Sequence, residues 1–450
     1  MESKEKVKDR PVLQSMPSIQ VTSPLSEYDC EPDLWDVDSD SEKEMMIYAS
    51  FRLMLPPGAS RYFSQTCVRC CKPKDPLKNL KKSQINNLLD DSASFHELKE
   101  SKENDCASNP YPKEAVRVAK RRDQSSYSFR PSVNPSETSI FLFPGQGTQF
   151  VGMGKKVLDL PQVRELFLAA NDILKFDLLN MCLEGPKSQL DKTMYAQPAI
   201  YVTSLAAVEA VRENNPRAVE GCVATAGFSL GEITALTFAG AFSFETGLKL
   251  VQIRAEAMQY ASDLTPSGMM TVFFGADAKL GYALNLAKEW CIRQGIEDPE
   301  CCVSNYLYPG SKIIAGNEEA LHFIEKNASD FNIRKLKRLT VSGAFHTKLM
   351  QDAVSPFSEA INRAEVQNPL VPVHSNVDGK MYRDVKHIKR QLPRQILTSV
   401  KWEQTMHILY ERPVDIQYPQ TFECGPGQSL KAMLNMINKQ AGYMCKSITV

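Results

Sequence analysis

The glycines of this chain are spread so unevenly that they fix where a compact fold can lie. Of its 22 glycines only Gly58 falls within the first 137 residues, whereas twelve of the 27 prolines do. A layered α/β domain needs glycine at tight turns and where backbones approach closely, so the folded part is expected from Thr138 onward. Residues 1–137 also lack sustained apolar periodicity and are rich in Ser, Asp, Glu and Lys. Such a composition buries too little apolar surface to offset the entropy of ordering, and most of this leader is predicted to be disordered.

Charge in the leader comes in blocks. Residues 1–45 carry twelve acids against five bases, whereas residues 46–74 hold no Asp or Glu and five bases, Arg52, Arg61, Arg69, Lys72 and Lys74. The second block has the acid-free, Arg- and Ser-containing composition of a mitochondrial transit peptide. Its internal position is unusual, but the pair Met45-Met46 offers a start that would place it at an N-terminus. The functional form is therefore expected to begin near Met46, to enter mitochondria, and to be trimmed before Thr138. Cys67, Cys70 and Cys71 form a C-x-x-C-C cluster without a second pair at finger-like spacing, so they read as plain thiols and no metal site is expected.

For the whole chain, 450 residues at roughly 100–200 per domain allow two to four domains. Lys plus Arg equals Asp plus Glu at 53 each, which argues against a protein that coats nucleic acid. No run of eighteen apolar residues offers a membrane span. The twelve cysteines fall irregularly, favouring reduced thiols in an intracellular compartment over a disulfide scaffold.

From Thr138 the pattern alternates. A strand at 140–143, helical patterns at 163–179 and 198–214, and a strand at 222–226 running into a helix at 232–239 predict a parallel α/β sheet. Between Gly268 and Val341 the order becomes β-α-β-β-α-β: strands at 269–274, 302–306, 312–315 and 334–341, helices at 279–293 and 318–327. That is a ferredoxin-like unit inserted in the larger one.

Gly227-Phe228-Ser229-Leu230-Gly231 is a G-x-S-x-G pentapeptide between a predicted strand and helix, the setting of a nucleophile elbow. Ser229 at a helix N-terminus would be placed where developing negative charge is favoured. A serine needs a base. Among the six histidines, His96 lies in the leader and His322 and His387 in polar helical surroundings. His346 follows the inserted unit at a Gly-containing turn; His374 and His407 stay open by composition. The turn Pro144-Gly145-Gln146-Gly147 after the first strand offers bare N–H groups for an oxyanion or a phosphate, but lacks the Lys-Ser/Thr of a nucleotide loop. Arg254 lies beside the apolar face of a helix over 244–260, where a guanidinium meets a carboxylate from protein or ligand.

Seven motifs, FPGQGTQ, GFSLGE, RAEAMQ, SNYLYPG…IAG, SGAFHT, VKWEQTM and ECGPGQSL, occur in the order seen in malonyl-CoA:acyl carrier protein transacylases. The resemblance covers about residues 138–450 and is closest to the mitochondrial enzymes of animals. It implies an acyltransferase fold, with a hydrolase-like parallel-sheet large subdomain (138–267 and 342–450) and the ferredoxin-like small subdomain (268–341). By the same resemblance Ser229 is the acyl-accepting nucleophile and His346 its base. Gln395 orients that histidine through its backbone carbonyl, and Gln146 and Leu230 supply the oxyanion-hole N–H groups. Arg254 grips the malonyl carboxylate, and Met258 and Asn305 line the acyl pocket. Phe345, beside the base, is bulky enough to crowd a branched acyl group. Phe228 stands where many bacterial members carry His, and Leu307 where they often carry a second Asn.

The implied reaction is ping-pong transfer of malonyl from malonyl-CoA to the phosphopantetheine thiol of acyl carrier protein, supplying fatty acid synthesis in the mitochondrial matrix. No cofactor beyond the CoA thioester, no nucleic acid and no membrane span are expected, and the enzyme should act as a monomer. A serine thioesterase or hydrolase of acyl-CoA would share the pentapeptide. It would, however, expect an acidic triad member and have no use for Arg254. The run Arg334-Lys335-Leu336-Lys337-Arg338 is the densest basic stretch of this part, suited to an acidic carrier protein or to a solvated edge strand.

Overall fold

The computed structural model describes residues 133–412 and 416–450. The segment 46–74, the cluster at Cys67, Cys70 and Cys71, and His96 lie outside the described residues. Among the described residues ten strands are formed in chain order: β1 (Ser139–Phe143), β2 (Cys222–Gly227), β3 (Ser267–Phe274), β4 (Cys301–Tyr308), β5 (Ser311–Asn317), β6 (Ile333–Arg338), β7 (Val373–His374), β8 (Val400–Lys401), β9 (Gln420–Cys424) and β10 (Cys445–Ile448).

They make two five-stranded sheets. The first, in the order β10-β9-β1-β2-β7, is parallel throughout. β1 and β2 are buried at every position, as strands covered on both faces by helices must be. Phe141 of β1 stacks at 4.7 Å on Phe238 and at 5.3 Å on Phe422 of β9, tying helix and sheet into one core. In the register Phe143 pairs with Gly227, so the turns leaving β1 and β2 emerge side by side at the carboxyl edge of the sheet. In open α/β sheets that edge is where ligands bind.

The second sheet runs β6-β3-β5-β4-β8. Its first four strands are antiparallel, and the helices Leu280–Arg293 and Glu318–Lys326 pack their apolar stripes on it. This is the ferredoxin-like arrangement, with Leu284 and Leu321 against Val272 and Ile314 as part of its core. β8, a two-residue strand from the C-terminal half, adds parallel to β4. A two-residue strand carries no periodicity to read, which is why the sequence does not announce it.

Several element bounds differ from the sequence pattern. The expected helix at 163–179 breaks into Pro161–Leu174 and Leu178–Glu184, because Lys175 turns left-handed (φ 63°) and Asp177 caps a new start. The helix expected from Pro198 begins at Thr193, with Pro198 inside it. The Thr193 N–H is satisfied by Gln259 Oε1 at 3.1 Å, a tertiary cap invisible in local sequence. β6 stops at Arg338, three residues short of Val341. The helix after Ser243 runs to Leu264, beyond the expected Tyr260, and Ser243 caps it through the Thr246 N–H. Among the described residues no helix is long and apolar enough to cross a membrane. Among the described residues Cys182, Cys222, Cys291, Cys301, Cys302, Cys424 and Cys445 form no disulfide.

Candidate active site

Ser229 sits in the turn between β2 and the helix Gly231–Phe238, with φ at 52°. Left-handed backbone costs a non-glycine residue about 1–3 kcal/mol, so the surroundings must hold it. Two glycines make room: a Cβ on Gly227 would lie 1.8 Å from the Gly231 carbonyl oxygen, and one on Gly231 2.1 Å from that of Phe143. The elbow closes only because both positions lack a side chain. Asn376, just after β7, brackets the turn from outside. Its Oδ1 accepts from the Ser229 N–H at 2.7 Å and its Nδ2 donates to the Gly227 carbonyl at 2.7 Å.

His346 meets the serine directly, with Nε2 2.7 Å from Ser229 Oγ. It too has a left-handed backbone, φ 62°. Its Nδ1 lies 2.7 Å from the Gln395 main-chain carbonyl. A carbonyl only accepts, so Nδ1 carries the hydrogen and Nε2 is left to receive the serine proton. Burial, reinforced by the Arg254 charge, lowers the His346 pKa to about 3, against the opposing pull of the Gln395 carbonyl. The ring is thus a neutral base.

Arg254 completes the cluster. It is 1 % exposed and donates to Gln197 Oε1 at 2.8 Å, Gln395 Oε1 at 2.8 Å and Ser229 Oγ at 3.1 Å. All three acceptors are neutral, its Nε finds no partner, and among the described residues it forms no ion pair. Burial lowers its pKa to about 10, with Glu232 as the opposing charge, so it stays protonated near neutrality.

Gln146 and Leu230 flank the serine from the two adjacent turns. Neither backbone N–H has an acceptor among the described residues, although the neighbouring Phe228 and Gly231 N–H groups are bonded. The Gln146 side chain reaches Thr193 Oγ1 (3.1 Å) and accepts from Gln197 Nε2 (3.3 Å). Met258 is buried one turn along from Arg254, its sulfur 3.8 Å from Gln197 Nε2. Phe345 is buried beside His346. Asn305 is buried on β4, where Ser304 Oγ occupies its Oδ1 (2.8 Å), and Leu307 packs in the main core. Phe228 turns edge-on to Trp402 at 5.5 Å, a contact an imidazole would not replace with equal apolar area.

The other histidines lie elsewhere. His322 is exposed, His387 packs against Tyr382, His374 is buried with Nδ1 at the Gly379 carbonyl, and His407 sits 3.8 Å from Glu403. Three further residues of the cluster, Gln197, Asn376 and Tyr382, lie in none of the seven motifs, and Glu232 ends GFSLGE without a role read for it there. Glu232 left a trace, being the one charge in the helix GEITALTF. Among the described residues no group of three His, Cys, Asp or Glu is placed to hold a metal ion.

A half-buried serine on a buried histidine backed by a carbonyl, two free N–H groups and an unpaired guanidinium are together equipped for transfer of an anionic acyl group. The acyl transferase domain model matches residues 140–407. The probable malonyl-CoA–acyl carrier protein transacylase, mitochondrial, of Drosophila melanogaster is 54 % identical over 312 residues, covering 69 % of this chain and 82 % of that protein. Its human counterpart is 51 % identical over 316 residues, covering 70 % and 81 %. The malonyl CoA–acyl carrier protein transacylase structure from Coxiella burnetii matches with a TM-score of 0.62 at 27 % identity, covering 71 % of this chain and 96 % of that one. A type II PKS acyl-carrier protein in complex with its malonyl-transacylase matches with a TM-score of 0.60 at 29 % identity, covering 70 % and 96 %. The chain therefore belongs to the acyl transferase family, among the mitochondrial malonyl-CoA–acyl carrier protein transacylases of animals.

Proposed function

We propose that this chain moves the malonyl group of malonyl-CoA onto the phosphopantetheine thiol of acyl carrier protein through an ester on Ser229, supplying fatty acid synthesis in the mitochondrial matrix. One observation carries the reading: a guanidinium, 1 % exposed, stands 3.1 Å from the nucleophilic oxygen with no carboxylate paired to it. A buried cation left unpaired costs several kcal/mol, and an acyl group ending in a free carboxylate supplies the partner beside the nucleophile. Family membership supplies the CoA thioester and the carrier as donor and acceptor.

In the first half-reaction Ser229 Oγ attacks the thioester carbonyl as its proton passes to His346 Nε2. The tetrahedral oxyanion takes the N–H groups of Gln146 and Leu230, donors fixed in place before the charge appears. The intermediate expels the CoA sulfur, which leaves with the proton held by His346. In the second half the carrier thiol gives its proton to His346 and attacks the ester, and the serine oxygen recovers that proton. Every step exchanges an acyl group or a proton, so the cycle uses no redox equivalents and the CoA thioester is its only activated reagent. Met258 and Asn305 line the acyl pocket, and Phe345 crowds a branch on the α-carbon, disfavouring methylmalonyl.

A thioesterase would use the same serine and histidine but gains nothing from Arg254. The two are separated by measuring CoA release with and without acyl carrier protein. Transfer gives a burst of about one equivalent without carrier and steady turnover only with it. Equal steady rates in both conditions would contradict transfer.

A further inference from the structure

Glu232 touches none of the reacting atoms, yet three donors converge on its buried carboxylate. Tyr382 OH donates at 2.5 Å, Gln395 Nε2 at 2.6 Å and the Asn376 N–H at 3.1 Å. The residue is fully buried in the first turn of the helix Gly231–Phe238, where the helix dipole favours a carboxylate. It reaches the Ser229 turn through Asn376, and it reaches Arg254 through the side-chain amide of Gln395.

That amide lies between two unlike neighbours. Its Nε2 donates to Glu232 Oε2 at 2.6 Å and to the Ser229 carbonyl at 2.7 Å, while its Oε1 accepts from Arg254 Nη2 at 2.8 Å. A primary amide has donors at one end and an acceptor at the other. With Glu232, the Ser229 carbonyl and, at 3.4 Å, Asn376 Oδ1 as acceptors on one side and a guanidinium on the other, one orientation satisfies every contact. A flipped amide would turn its N–H hydrogens toward Arg254 and its oxygen toward a carboxylate. The same Nη2 also reaches Ser229 Oγ at 3.1 Å, whereas Gln197 holds only Nη1. The Gln395 oxygen is therefore the protein acceptor, other than the nucleophile itself, that aims this nitrogen.

We infer that Glu232 is a positioning residue for substrate selection: by pinning the Gln395 amide it holds Arg254 beside Ser229, and so sets the preference for acyl groups with a terminal carboxylate. The inference rests on the malonyl-transfer reading above. In Glu232→Gln the charged acceptor becomes an amide that can donate as well as accept, so the Gln395 orientation is left to the Ser229 carbonyl, Asn376 Oδ1 and Arg254. Arg254 then loses its aimed acceptor in a fraction of molecules, while the Ser229–His346 contact and the Gln395 main-chain carbonyl remain.

The test compares acylation of the full chain by malonyl-CoA and by acetyl-CoA, read as the mass of the Ser229 peptide over time. In Glu232→Gln the malonyl-to-acetyl ratio of kcat/KM should fall by roughly tenfold or more, since a hydrogen bond to a charged group is at stake, with the larger part of the loss in malonyl. Equal losses for the two acyl groups, or an unchanged ratio, would overturn the inference, because a merely structural role slows both alike. Should Glu232→Gln fail to fold, Gln395→Met decides it: this change removes the relay and keeps the main-chain carbonyl. The ratio must fall there too, and an unchanged ratio overturns the inference. A wild-type chain that malonyl-CoA does not acylate overturns the transfer reading and the inference together; one that is acylated while the variant ratios stay fixed overturns the inference alone.

Discussion

Burial keeps the His346 imidazole neutral, and this has consequences for stability as well as for chemistry. With a pKa lowered to about 3 in the folded chain against 6.5 for a free imidazole, the unfolded state binds more protons between those values. Stability contributed by this group is therefore full above pH 6.5 and is lost as pH falls through that window. Replacing the ring by Gln should shrink the difference in urea midpoint between pH 4 and pH 7; an unchanged difference would mean that the ring is not held neutral. Arg254 offers a second test at the same scale. Arg254→Ala should cost malonyl acylation far more than acetyl acylation, by roughly a hundredfold or more in ratio, since a buried substrate carboxylate would be left unpaired. If the ratio of kcat/KM values stayed constant, the carboxylate clamp would be misassigned.

At the scale of elements, β6 presents Arg334, Lys335 and Lys337 as exposed residues on an edge strand. Arg338 is differently employed, paired with Glu325 at 2.7 Å and Glu318 at 3.0 Å. Charges that dock an acidic carrier act on encounter and are screened by salt. Reversing Lys335 and Lys337 should raise the KM for acyl carrier protein several-fold, leave that for malonyl-CoA in place, and flatten the salt dependence. Equal effects on both substrates would count against docking. The elbow and the ferredoxin-like unit were legible in the sequence because each leaves a local mark: paired glycines around a serine, and alternating helix and strand periods. Asn376, Gln197 and Tyr382 were not, because they meet Ser229, Arg254 and Glu232 through tertiary contacts 147, 57 and 150 residues apart in the chain. Asn376 in particular is a neutral amide in a loop, with no periodicity and no motif to betray it. The start of the helix at Thr193 was hidden for the same reason, its cap being Gln259.

For the molecule as a whole, His346 follows the inserted antiparallel strands and Ser229 leaves a strand of the parallel sheet, so chain order separates by 117 residues what the fold joins at 2.7 Å. The leader poses a different question. A C-terminally tagged chain should fractionate with the mitochondrial matrix and show a mature N-terminus between the acid-free block and Thr138; a cytosolic protein retaining residues 1–45 would contradict that prediction. The central claim, that Ser229 carries the malonyl group under His346 and Arg254, is tested most directly by mass spectrometry of the chain after brief exposure to malonyl-CoA without carrier. A single malonyl ester is expected on the peptide containing Ser229, absent in Ser229→Ala and slower by orders of magnitude in His346→Ala, since the two act as one unit. A malonyl group on any other residue, or normal acylation of Ser229→Ala, would contradict it.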